Sequence, residues 1–148
     1  MSRKVAISAC LTGCSCRYDG RTNHNQELLT LFEKDELIIF CPEDSAFGTP
    51  RPTMDLVEMG KDEIVVLSNE GGANLLEPIL SYAHNFFREN PEIELFIGKD
   101  RSPSCAVASG KVYDQEKNLL HTKGRGIMAQ VAVDLGIEAW DSEEYLRR

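Results

Sequence analysis

The sequence predicts an α/β fold: a mostly parallel sheet flanked by helices, with a small β-hairpin excursion. Two observations carry that reading. Short apolar or β-branched runs alternate with amphipathic helical stretches, which is the pattern of strand–helix–strand units. No internal repeat, low-complexity stretch or linker interrupts the 148 residues, so 1–148 reads as a single domain with a core of ordinary size.

The elements follow in order. "KVAISA" (4–9) is short, apolar and partly β-branched, as a buried strand is. "NQELLTLFEKD" (25–35) predicts a helix with Leu28, Leu29, Leu31 and Phe32 on its apolar side. "ELIIFCP" (36–42) predicts a second strand stopped by Pro42, and "DEIVVLS" (62–68) is a further β-like run. The clearest helix covers roughly 75–89, with Asn74 and Glu77 spaced as a capping box and Ile79, Ala83 and either Phe86 or Phe87 as its apolar stripe. "IELFIGK" (93–99) is the next strand, and "KVYD" with the segment to His121 reads as the hairpin. "GRGIMAQVAVDLG" (124–136) predicts a helix with Ile127, Val131 and Leu135 inward and Gly136 as its stop, before a last strand "IEAW" (137–140).

Composition and charge exclude several classes. The chain is 42% hydrophobic and 27% charged, a soluble globular composition. A net charge of −8 argues against sequence-independent binding of nucleic acid, which needs clustered Lys and Arg. No run approaches the ~20 apolar residues that span a bilayer. The basic start "MSRK" is followed by too short an apolar run for a signal peptide. The expected setting is therefore the cytoplasm, with no membrane partner.

Thiols stay reduced there, so the five cysteines read as metal-binding, catalytic or buried rather than disulfide-bonded. Cys10 follows the first strand, Cys41 ends the second, and Cys105 sits in the loop after "ELFIG". Right-handed crossovers bring these strand ends to one edge of the sheet, where open α/β sheets bind ligands. Cys10, Cys14 and Cys16 form C-x3-C-x-C, which is not zinc-ribbon spacing. Three thiolates at one pocket suit an iron–sulfur cluster with one iron left open. Cys16 is the reserve ligand, and Cys14 reads as a small buried hydrophobe. Glu43, Ser102 and Ser104 are placed at the same edge, as a carboxylate and two hydroxyls suited to moving protons. Arg17, Lys99 and Arg101 are the nearby cations expected to bind substrate. Gly124-Arg125-Gly126 opens a helix whose N–H groups favour anions, a weak signal without more glycines. His24, His84 and His121 show no ligand spacing.

The motifs "SACLTGCSCRYDG", "FCPED", "GTPRP", "KDRSPSC", "GKVYD" and "GRGI", in that order, resemble a bacterial domain-of-unknown-function family whose characterised activity is thiouracil desulfurase (desulfidase). The resemblance runs from about residue 4 to 128. It implies a Rossmann-like fold, an oxygen-sensitive [4Fe-4S] cluster on three cysteines, and exchange of a thiocarbonyl sulfur for a water oxygen without net redox change. Carried over, it implies Cys10, Cys41 and Cys105 as ligands, Glu43 as acid/base, Ser102 as the first hydroxyl and Ser104 as the second. The partner it implies is a small-molecule thiocarbonyl substrate. Preparation in air would leave the thiols empty or holding zinc. Three positions depart from the family pattern: Ala106 replaces a glycine, Cys14 is added, and Asp100 is expected to bring extra negative charge near the site. The alternative function is a non-catalytic metal- or cluster-binding or redox-sensing module on the same cysteines. A thiol redox enzyme using Cys10, or Cys14 with Cys16, is a third. Oligomeric state is left open.

Overall fold

The computed structural model describes residues 3–12, 25–48, 51–60 and 63–148. Four strands, β1 (Lys4–Ser8), β2 (Glu36–Phe40), β5 (Leu95–Gly98) and β8 (Glu138–Asp141), form a sheet in the order β2-β1-β5-β8. Every pairing in it is parallel. Between them lie β3 (Met54–Gly60), β4 (Glu63–Ser68), β6 (Gly110–Tyr113) and β7 (Leu119–Gly124), which form a second sheet in the order β4-β3-β6-β7. Its pairings are antiparallel except the central β3–β6 pair.

The helices are α1 (Gln26–Leu31), α2 (Pro42–Phe47), α3 (Leu76–Glu89), α4 (Ile127–Asp134) and α5 (Ser142–Arg147). Helix α3 and α4 pack together on one face of the parallel sheet, around Phe40, Phe86, Phe87, Phe96 and Met128. The other face is filled by Val5, Ile7, Leu28, Phe32, Ile97 and Tyr145. A third cluster, Leu56, Val66, Ile79, Val112 and Ile127, joins one face of the second sheet to α3 and α4. No helix among the described residues is long and apolar enough to cross a membrane.

The mostly parallel α/β architecture is as the sequence predicts, and five local expectations change. The run 63–68 does not join the parallel sheet; it pairs with β3, a strand the apolar count passes over. The hairpin is present, but it is half of the second sheet rather than an excursion. Leu31, the last residue of α1, and Leu135, the C-cap of α4, are exposed, since no other element among the described residues covers these helix ends. Asn74 does not form a capping box; α3 begins after Leu75, and the Asn74 side chain accepts the N–H of Leu76 at 3.0 Å instead. Helices α2 and α5 were not expected: "PEDSAF" and "SEEYLR" carry only two apolar residues each, too few for a periodic stripe.

Candidate active site

β1 runs into a 3₁₀ turn over Ala9–Thr12, which turns Cys10 inward to 5% exposure. Its Sγ lies 3.5 Å from Ser8 Oγ. Cys41 directly follows β2 and is the N-cap of α2, with Pro42 at the first helical position, where a missing N–H costs nothing. The Cys41 N–H donates to the Tyr82 hydroxyl of α3 at 3.1 Å. Burial, the largest influence on it, raises the Tyr82 phenol above its ordinary range.

Cys105 lies in the loop after β5, and that loop is held from every side. Ser102 Oγ accepts the N–H groups of Ser104 (3.2 Å) and Cys105 (3.0 Å). The first turn of α4 donates back to it, from Met128 N to the Ser104 carbonyl at 2.8 Å and from Ile127 N to the Pro103 carbonyl at 3.3 Å. A Cβ at Gly98 would overlap the Cys105 carbonyl, and one at Gly126 would overlap the Ser104–Cys105 peptide, so both close approaches require glycine. The N-terminus of α4 therefore binds this loop and not an anion, which answers the Gly124-Arg125-Gly126 signal. Beyond the loop, Asp141 accepts the N–H groups of Val107 (2.7 Å) and Ala108 (2.8 Å).

All three thiols line one cavity of about 380 Å³, together with Glu43, Ser102, Ser104, Lys99 and Arg101. Glu43, in the first turn of α2, reaches across: its Oε2 accepts Ser104 Oγ at 2.5 Å and Ser102 Oγ at 3.3 Å. Cys105 Sγ donates to Ser104 Oγ at 3.6 Å, so thiol, hydroxyl and carboxylate form one line. Burial first, then the Glu43 charge, push the Cys105 thiol well above the usual range; the other two thiols add to this, and only the Ser104 hydroxyl pulls back. Two buried thiols and the half-buried Cys41 beside a carboxylate are a poor place for three isolated thiolates and a good one for thiolates bound to a cationic centre. Among the described residues no three His, Cys, Asp or Glu side chains converge tightly enough to grip a single metal ion. The three thiols border one cavity, and thiolates are the donors that iron–sulfur groups take.

The chain belongs to the 2-thiouracil desulfurase family. The family model matches residues 5–144. The chain is 24% identical over 147 residues to the uncharacterized protein YbbK of Bacillus subtilis (strain 168), covering 95% of this chain and 96% of that one. It also matches the solved structure of the [4Fe-4S]-dependent thiouracil desulfidase TudS, with a TM-score of 0.72 and 25% identity over 99% of this chain and 95% of that chain.

Lys99 lines the cavity while its Nζ donates to the Asp100 carbonyl at 3.1 Å. Arg101 lines it from a left-handed backbone (φ 67°), and its guanidinium pairs with Glu143 at 3.0 Å. Asp100 does not bring charge to the site: it is 7% exposed and accepts Ser142 Oγ and Glu143 N at the start of α5. Arg17, Cys14 and Cys16 lie outside the described residues. His84 and His121 are exposed and lie off this cavity.

Sequence reasoning missed Arg51, Thr53, Asp55, Lys111 and Tyr113, which line the cavity from the second sheet and the segment before it. Arg51 has a side chain only 4% exposed; its Nε lies 3.5 Å from Glu43 Oε1 and its Nη1 donates to the Gly48 carbonyl at 2.9 Å. The available signals were the family motifs "GTPRP" and "GKVYD", which hold Arg51, Lys111 and Tyr113.

Proposed function

We propose that this protein is a [4Fe-4S]-dependent desulfidase that removes sulfur from a thiouracil-like nucleobase, or a similar small thiocarbonyl compound, and releases it as sulfide. One observation supports this most: Cys10, Cys41 and Cys105 share a cavity with Glu43, which the Ser102 and Ser104 hydroxyls hold at 3.3 and 2.5 Å. In this reading the three cysteines hold the cluster, which when bound supplies an open iron as Lewis acid for the thiocarbonyl sulfur.

The other residues then have separate tasks. Glu43 takes a proton from the attacking water and passes it toward the leaving group. Ser104 donates its hydroxyl to Glu43 Oε2 and orients the carboxylate. Ser102 spends its oxygen on two backbone N–H groups, so its main work is holding the Cys105 loop. Arg51 fixes the second oxygen of Glu43, aiming the first at the cavity. The overall change is thiocarbonyl plus water to carbonyl plus hydrogen sulfide, with no change in oxidation state.

The test is anaerobic. Protein reconstituted with iron and sulfide should bind about four of each, and 2- or 4-thiouracil should yield uracil and sulfide in equal amounts. An intact cluster with no turnover would reject the substrate class. Glu43→Gln separates this from a passive cluster-binding module: the enzyme loses turnover and keeps its iron, whereas a passive module is indifferent.

A further inference from the structure

The far wall of the cavity comes from the second sheet. In the parallel β3–β6 pair, Leu56 lies opposite Val112 and Val57 opposite Tyr113. Leu56 and Val112 are 1% and 2% exposed and belong to the core. Side chains alternate along a strand, so the preceding positions, Asp55 and Lys111, face the other way, and both line the cavity with Tyr113. They sit on neighbouring strands ~4.8 Å apart. Among the described residues, the Asp55 and Lys111 side chains make no hydrogen bond or ion pair with other protein groups. The Asp55 carboxylate is half-buried and Lys111 is exposed, so an acceptor and a donor stand side by side on the cavity wall, each without a partner among the described residues and open to a ligand.

We propose that Asp55 and Lys111 read the unreacted lactam edge of the substrate, Asp55 accepting a ring N–H and Lys111 donating to the adjacent carbonyl. This rests on the desulfidase reading and narrows it. The preferred substrates are six-membered thiolactams that carry a second N–H/C=O pair beyond the thiocarbonyl, as thiouracils do. Tyr113 offers its ring beside them. A carboxylate that accepts and an ammonium that only donates match that edge in one order only, so the pair also orients the ring with its sulfur toward the thiols.

Two variants and two substrates test it, with cluster-loaded protein throughout. Asp55→Ala and Lys111→Met are checked for unchanged thermal unfolding, and Asp55→Asn replaces the alanine variant if that one unfolds early. Binding of uracil, measured calorimetrically without turnover, should weaken at least about tenfold in each. KM for 2-thiouracil should rise by the same factor, with kcat within about threefold. Pyridine-2-thione keeps the thioamide and lacks the second pair. The wild type should use it poorly, and the variants should treat it no differently. Uracil affinity within about twofold of wild type in both variants would overturn the assignment. If the loaded wild type releases no sulfide from 2-thiouracil, the desulfidase reading fails, and uracil binding alone then decides the role of the pair.

Discussion

The two sheets meet the same cavity in different ways. The parallel sheet presents its edge: its strands are covered on both faces, and what reaches the cavity are groups in the loops that leave β1, β2 and β5. The second sheet presents a face: β3 and β6 bury Leu56 and Val112 and turn Asp55, Lys111 and Tyr113 outward. Groups at an edge are held by turns, caps and backbone hydrogen bonds, as the Cys105 loop is. Groups on a strand face are held only by the strand, and alternation lets them change without disturbing the core. The edge thus suits reacting groups, which need fixed geometry, and the face suits recognition.

That division is open to attack in order of expected effect. Cys10→Ser, Cys41→Ser or Cys105→Ser should reduce bound iron and turnover to background, read by iron assay and visible absorption under argon. If one of these variants keeps its full iron, that residue is not a ligand. Glu43→Gln should lower kcat by at least about 100-fold with iron retained; a change confined to KM would move Glu43 from the reacting side of the cavity to the recognising side.

Arg51→Met should lower kcat about tenfold, by loosening Glu43, with lysine at this position restoring part of it. This contrasts with the KM effect expected at Asp55 and Lys111, and equal KM effects at all three would erase the distinction between edge and face. Gly98→Ala, on the edge, should cost about 1–3 kcal/mol in denaturant unfolding, since the new methyl group must displace the Cys105 carbonyl.

The smallest effect concerns the clamp behind the loop. Asp141 is 4% exposed, and its carboxyl is raised above the ordinary 3.8, chiefly by burial; the Val107 and Ala108 N–H groups pull it back, and the nearby Asp100 adds to the rise. An acid raised in the folded state loses its proton first in the unfolded chain. Its contribution to stability is therefore greatest below pH 3.8 and is lost as pH rises through the folded-state value. Asp141→Asn should remove this component of the pH dependence while costing about 1 kcal/mol, because the amide nitrogen cannot accept the second N–H. Unfolding followed from pH 3 to 7 in both proteins measures it, and parallel curves would refute it.

Much of the edge was legible from the sequence. Strand runs such as "KVAIS" and "ELIIF" are local patterns, and a cysteine directly after such a run must lie at the sheet edge whatever the rest of the chain does. Glu43 follows from Cys41, and Ser104 from Cys105, by adjacency alone. The face was not legible. "MDLVEMG" has too mixed an alternation to announce a strand, and only pairing with β4 and β6 makes it one. Leu31 and Leu135 show the same limit from the other side, since an apolar residue at a helix end is buried only if another element arrives to cover it.

The sequence by itself determined the α/β alternation, the strand-end positions of Cys10, Cys41 and Cys105, and the family those motifs belong to, because each depends on residues near one another in the chain. Only the tertiary structure decided that Ser104 and not Ser102 stands closer to Glu43, that Arg51 grips the opposite oxygen, and that Asp100 turns away to α5. The Glu43 contacts with Ser102 and Ser104 span 59 and 61 residues. Their geometry is set by how two loops from different strands pack over one edge, and no local pattern encodes that distance.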